Sequence, residues 1–156
     1  MSLNYDEILP ELIVGSCPDS YQDILEIKDA GATALLSLQT DQDLAERGLS
    51  WSDVEDWCRA AGIVARREPV RDFDPENLAE RLPDCARTLD ELIGSGHRVY
   101  LHCTAGVNRS PSVAIAWLVW KRGKSLEEAY AFVTRRRYSE PNLHTIRASL
   151  RTCPVL

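Results

Sequence analysis

The chain has 156 residues, 44% hydrophobic and 27% charged, an ordinary globular composition, and a length that suits one domain with a core needing no metal or disulfide staple. A net charge of -6 disfavours general binders of nucleic acid or anionic membrane; no apolar run reaches the roughly 18 residues that span a bilayer, and no signal-peptide pattern opens the chain. Five cysteines without CxxC or Cys/His finger spacing read as reduced thiols rather than as disulfides or a metal site. The expectation is one cytoplasmic domain over 1–156, monomeric, with neither metal nor cofactor.

Residues 11–16 (ELIVGS) read as a short strand, and 21–31 space Ile24, Leu25 and Ile27 along a helix face that stops at Gly31. A buried strand follows in 32–39 (ATALLSLQ), then a helix in 50–62 ended by Gly62 and a strand in 63–70. The stretch 45–57 is acidic and reads as an exposed helix surface. Residues 71–77 (RDFDPEN) form a loop with Pro75 as breaker and Asn77 as cap for a helix over 78–93, with Pro83 near its first turn. Residues 98–103 (RVYLHC) are the central strand. Helices follow at 110–122, after a capping box of Ser125 and Glu128, and at 142–151. Alternation followed by terminal helices predicts an α/β fold, a central mostly parallel sheet of about four to five strands flanked by helices.

The chemistry concentrates in 102–110, HCTAGVNRS. Of the five cysteines only Cys103 has an Arg six residues later, Arg109. Residues 104–108 (Thr104, Ala105, Gly106, Val107, Asn108) lie between a strand end and a helix N-terminus, where successive backbone N–H groups and the helix dipole can face an oxyanion. Gly106 permits a turn that a Cβ would hinder. A thiol at that positive end is favoured as thiolate, the nucleophilic form. Arg109 offers a bidentate fork to a phosphoryl group, Ser110 can hydrogen-bond the sulfur from the cap position, and Pro111 suits a first helical turn. A thiolate attacking phosphorus also needs an acid for the departing oxygen and a base for water. Asp72 and Asp74 are the candidates, with Phe73 between them as an aromatic wall. His102 either orients the loop or satisfies a buried carbonyl.

The signature HCTAGVNRS resembles that of the cysteine-dependent dual-specificity phosphatases, HCxxGxxRS. Within that family the chain is most similar to the glucan phosphatases, laforin and the plant starch-excess proteins, through HCTAG, RDFDP, ELIVGS, LSLQTDQD and RRYSEPNLHTIR. The similarity covers about residues 5–152 and implies a protein tyrosine phosphatase-like fold. It also implies Cys103 as nucleophile, Arg109 as phosphate clamp and, six residues before Leu78, Asp72 as acid and base. The implied substrate is a phosphorylated glucan or another phosphorylated carbohydrate, with phosphotyrosine or phosphoserine/threonine protein as the alternative and a silent phospho-binding module as a third reading. Asn108 stands where the glucan group usually has Gly, and no stretch within these 156 residues reads as a starch-binding module.

Among the remaining residues, Cys17, Cys58, Cys85 and Cys153 read as core or incidental thiols. Trp57, Trp117 and Trp120 read as core, leaving Trp51 and Phe73 as aromatic candidates for a glucan contact. Arg135, Arg136 and Arg137 close a helix, where cations meet the negative dipole end in solvent; the alternative is a substrate role, since the loop that follows resembles one bordering the active site of that family.

Overall fold

The computed structural model describes residues 2–156. Its elements are β1 (Tyr5–Leu9), β2 (Leu12–Gly15), α1 (Tyr21–Asp29), β3 (Ala34–Ser37), α2 (Asp41–Ala45), α3 (Trp51–Ala61), β4 (Val64–Arg67), α4 (Pro75–Gly94), β5 (Val99–His102), α5 (Arg109–Arg122), α6 (Leu126–Arg136) and α7 (Leu143–Thr152). The five strands lie in the order β1-β2-β5-β3-β4, with β1 antiparallel to β2 and the other pairings parallel.

Strands β2, β3 and β5 are buried along their whole length, as strands covered on both faces must be. The two-residue period of a strand divides their side chains between two cores. Leu12, Val14, Leu36 and Leu101 pack with α4 and α5, while Ile13, Leu35 and Tyr100 pack with α1 and α3. The chain steps outward from β2 through β3 to β4, then reverses through α4 to insert β5 between β2 and β3. Right-handed crossovers in opposite directions place α1 and α3 on one face and α4 on the other. The carboxyl end of β5 is therefore a topological switch point, the position where open α/β sheets form ligand crevices. Among the described residues, no helix is long and apolar enough to cross a membrane.

Several elements differ from the sequence expectations. β1 is an additional edge strand whose alternation is broken by a register shift between Glu7 and Leu9, so its sequence shows no clean period. The five-residue α2 is too short for an apolar period, although the capping box of Thr40 and Asp43 marks its start. Residues 45–57 run from the end of α2 into α3, where Val54 is buried. At α4 the cap is Asp74, whose Oδ1 accepts the Asn77 N–H at 3.0 Å, and Pro75 takes the first helical position. Asn77 instead accepts the Arg71 N–H at 2.7 Å and ties the preceding loop to the helix.

Because α4 begins at Pro75, Pro83 falls well inside it. A proline has no N–H, so the carbonyl four residues earlier, that of Ala79, loses its helical donor. The Ser149 hydroxyl on α7 donates to this carbonyl at 2.8 Å, turning a helix defect into a contact between α4 and α7. Trp117 is fully buried and donates Nε1–H to Asp90 at 3.1 Å, and Trp120 donates to the Cys153 carbonyl at 2.8 Å, as the core reading of that helix requires.

Candidate active site

The segment from Cys103 to Asn108 connects β5 to α5 and turns on Gly106, whose φ is +72°. A Cβ there would lie 2.5 Å from the Gly15 carbonyl oxygen and 2.6 Å from Arg137 Nη2, so only glycine fits. The carbonyls of this loop are held outward one after another. His102 Nδ1 lies 2.7 Å from the Cys103 carbonyl. The Cys17 N–H donates to the Thr104 carbonyl at 2.9 Å. Arg137 donates to the Ala105 carbonyl at 3.2 Å from Nη2 and to the Gly106 carbonyl at 2.7 Å from Nε. The Glu140 N–H donates to the Val107 carbonyl at 2.8 Å. In a trans peptide the N–H points opposite to the carbonyl, so these anchors turn the N–H groups of residues 104–108 away from the protein body. None of them donates to another group among the described residues. The result is a concave row of backbone donors at a helix N-terminus, a geometry suited to a tetrahedral oxyanion.

A carbonyl only accepts, so His102 carries its proton on Nδ1. Its ring is buried, Nε2 has no partner, and burial followed by the nearby Arg109 charge pushes its pKa down to about 4. His102 is therefore a neutral strut behind the loop.

Cys103 is 3% exposed and its Sγ lies 3.3 Å from Ser110 Oγ. Ser110 is the second residue of α5 rather than its cap; Asn108 holds the cap position without a side-chain capping bond, and its Oδ1 is buried and unpartnered. Arg109, 2% exposed, is tied through Nη1 to Asp43 Oδ2 at 2.7 Å and to the Val70 carbonyl at 2.8 Å. Its Nη2 lies 3.3 Å from both Thr104 Oγ1 and Asp72 Oδ2, and its Nε has no partner. One face of the guanidinium is locked, while the Nε–Nη2 edge remains as a fork for an oxyanion. Burial works to raise the Asp43 pKa, but hydrogen bonds from Arg109 and the Thr40 N–H outweigh it, and the carboxyl sits below its ordinary value.

Asp72 and Phe73 approach from the loop after β4. The Asp72 Oδ1 accepts the Phe73 N–H at 3.1 Å, and Phe73 adopts φ of 55°, a left-handed conformation costly for an aromatic residue. Phe73 is 94% exposed. Asp74 is used as the α4 cap and pairs with Arg71 at 3.0 Å, so it is Asp72 that reaches Arg109. A pocket of about 290 Å³ is lined by Asp72, Phe73, Cys103, Ala105, Val107, Asn108, Arg109 and Glu140. The Thr104 hydroxyl faces Arg109 and Gln39, and Gly106 shapes the turn, so these two bring backbone N–H groups rather than side chains to the site.

Sequence reasoning missed three side chains here. Asp43 had only its capping-box position in TDQD as a signal. Arg137 reads from the sequence as a solvated helix end or a substrate contact, whereas in the structure it is 5% exposed, backs the loop carbonyls and is itself backed by Asn4 Oδ1 at 2.7 Å and Asp6 Oδ2 at 3.0 Å. Its neighbours Arg135 and Arg136 are exposed as the dipole reading requires. Glu140 lies in a polar loop with no pattern of its own. Trp51, conversely, packs on the α1/α3 core with the Arg67 guanidinium 5.3 Å above its ring and does not line the pocket. Cys17, Cys58 and Cys85 are buried, and burial raises all three thiol pKa values, that of Cys17 to about 12 and that of Cys58 to about 11.

The family model described as dual specificity phosphatase, catalytic domain, matches residues 15–150. The phosphoglucan phosphatase LSF1, chloroplastic, of Arabidopsis thaliana is 32% identical over 142 residues, covering 91% of this chain and 24% of that protein. The phosphoglucan phosphatase DSP4, amyloplastic, of Castanea sativa is 32% identical over 151 residues, 96% of this chain and 40% of that protein. The chain thus spans less than half the length of these relatives. Among solved structures, Tk-PTP in its active form superposes with a TM-score of 0.77 at 26% identity, covering 95% of this chain and 94% of that one. The match extends from the end of β2 to the last turns of α7 and includes the whole oxyanion loop, and the chain belongs to the dual specificity phosphatase catalytic-domain family.

Proposed function

We propose that the domain hydrolyses phosphomonoesters through a cysteinyl-phosphate intermediate, with phosphorylated glucan as its substrate class. One observation carries the chemistry: Cys103 Sγ, the Nε–Nη2 edge of Arg109 and the Asp72 carboxyl converge on one pocket beneath a row of backbone donors. In the first step the Cys103 thiolate bonds to phosphorus, the bond to the leaving oxygen breaks, and Asp72 gives that oxygen a proton. Arg109 and the N–H groups of residues 104–108 hold the equatorial oxygens as charge spreads over them. In the second step Asp72 takes a proton from water, the water oxygen bonds to phosphorus, and the S–P bond breaks. The Ser110 hydroxyl, 3.3 Å from the sulfur, stabilises the departing thiolate, and inorganic phosphate leaves.

Two features support the glucan reading. The relatives LSF1 and DSP4 carry the name phosphoglucan phosphatase, and the exposed Phe73 ring beside the pocket offers an apolar face of the kind on which a sugar ring stacks. The test is phosphate release from solubilised phosphorylated amylopectin beside an aryl phosphate and a phosphotyrosine peptide, with Cys103→Ser and Asp72→Asn as controls. Glucan turnover at least equal to aryl turnover, abolished by Cys103→Ser and lowered about 100-fold by Asp72→Asn, is the expected result. Aryl and peptide turnover without glucan release moves the domain to phosphoprotein substrates. Phosphate binding without turnover makes it a silent phospho-binding module.

A further inference from the structure

The charge around the pocket is unusual for a site that receives a dianion. Arg109 and Arg71 are the cations lining the pocket and its two neighbouring clefts, and each already has a carboxylate partner, Asp43 at 2.7 Å and Asp74 at 3.0 Å. Asp72 lies 3.3 Å from Arg109 and is given to the chemistry. Glu140 on the main pocket and Glu46 on the adjoining cleft are then in excess, with no cationic partner among the described residues.

Glu140 is held in place by its backbone. Its N–H donates to the Val107 carbonyl at 2.8 Å, inside the oxyanion loop itself, and the next residue, Pro141, is buried. On the other side, Ser139 Oγ donates to the Arg137 carbonyl at 3.1 Å. The residue so anchored lines the pocket with its backbone fixed to the loop, and its exposed side chain carries an unpaired carboxylate at the mouth. The reactive phosphate is compensated by Arg109 and five backbone donors, which reach only the group directly above Cys103. A second phosphate or carboxylate on the same substrate, within a few ångströms of the first, meets Glu140 with nothing positive to offset it.

We propose that Glu140 is a specificity-determining residue that rejects substrates carrying a second anionic group beside the scissile phosphate and so favours a single phosphomonoester on a neutral, hydroxyl-bearing carrier. The inference rests on the phosphatase reading of the site and narrows its substrate class. Sugar hydroxyls can donate to the Glu140 carboxylate, whereas a neighbouring phosphate only adds repulsion.

The experiment compares one peptide made in two forms, with a lone phosphotyrosine and with a phosphoserine adjacent to it. The reading is the ratio of kcat/KM for the two forms within each enzyme, so a general change in activity cancels. Wild type is expected to favour the singly phosphorylated form by about tenfold, Glu140→Gln by about threefold, and Glu140→Lys to show little or reversed preference. In wild type the ratio also collapses between about 20 mM and about 500 mM salt, which keeps the test independent of how the variants fold. A ratio that is the same in all three enzymes, or one in wild type that ignores salt, overturns the proposal. Failure of wild type to hydrolyse even an aryl phosphate overturns the phosphatase reading beneath it, a result separate from an unchanged ratio.

Discussion

Asp43 on α2 and Arg109 on α5 meet through Asp43 Oδ2 and Arg109 Nη1 at 2.7 Å, and the same oxygen accepts the Thr40 N–H at 2.9 Å. One carboxylate thus caps a helix and fixes the rotation of the phosphate clamp. Asp43→Asn keeps the shape but removes the charge, so Arg109 loses its orienting partner in a nearly dry setting. The expected outcome is a fall of about 10- to 100-fold in kcat/KM for an aryl phosphate, with KM rising because ground-state phosphate binding is weakened. Steady-state kinetics on the purified variant, with circular dichroism to confirm the fold, checks this. Unchanged KM contradicts the orienting role.

Arg137 serves two loop carbonyls, at 2.7 Å and 3.2 Å, from one guanidinium. A lysine has a single nitrogen on a flexible stem and cannot reproduce the fork. Arg137→Lys is expected to raise KM for phosphate esters about tenfold through a slackened oxyanion loop, with a thermal midpoint several degrees lower. Inhibition by inorganic phosphate should weaken in parallel, which a purely global loss of stability in a still-folded enzyme does not produce.

His102 carries a pH signature. Its pKa falls from the usual 6.5 to about 4 on folding because burial opposes the charged form. Between these values the unfolded chain binds a proton that the native protein refuses, so stability rises with pH across this window. It is fully present above pH 6.5 and is lost as pH falls toward 4, by about 3 kcal/mol. His102→Asn keeps a donor for the Cys103 carbonyl without the titration. Urea unfolding at pH 7 and about pH 4.5 should show the variant losing less stability than wild type over the interval. Equal losses would remove His102 as the source.

Ser149 and Pro83 should be energetically coupled. Ser149→Ala alone leaves the Ala79 carbonyl without a donor and is expected to cost about 1 to 2 kcal/mol. In a Pro83→Ala background a backbone N–H returns to that carbonyl, and the same Ser149→Ala change should cost well under half as much. A double-mutant cycle by chemical denaturation reads the coupling directly. Additive effects within about 0.3 kcal/mol would show that the two residues act separately.

What could be read from the sequence was what is local in it. Cys103, Arg109 and Ser110 share one nine-residue stretch, and the strand before it and the helix after it follow from a buried apolar run and a helical period. Asp72 was separable from Asp74 only through a family resemblance, because both lie in one loop; the structure shows the physical difference, since capping α4 occupies Asp74. Asp43, Arg137 and Glu140 approach the loop from three other segments, and only the strand order places those segments around β5. No periodicity reports such a convergence. Phe73 was legible as a ring near the site but not as a left-handed residue, because nothing in RDFDP requires a positive φ at that position.

The five outward-held carbonyls are gripped by groups from almost the full span of the chain: Cys17 after β2, His102 on β5, Arg137 at the end of α6, itself backed by Asn4 and Asp6, and Glu140 before α7. An anion seated on the opposite side of those peptides therefore stabilises contacts it never touches, including the seating of the amino-terminal hairpin against Arg137. The coupling runs equally in reverse. Removing the Asn4 and Asp6 contacts from Arg137 would take part of the anchorage from two of the five carbonyls, and the population able to receive a phosphate would shrink with them.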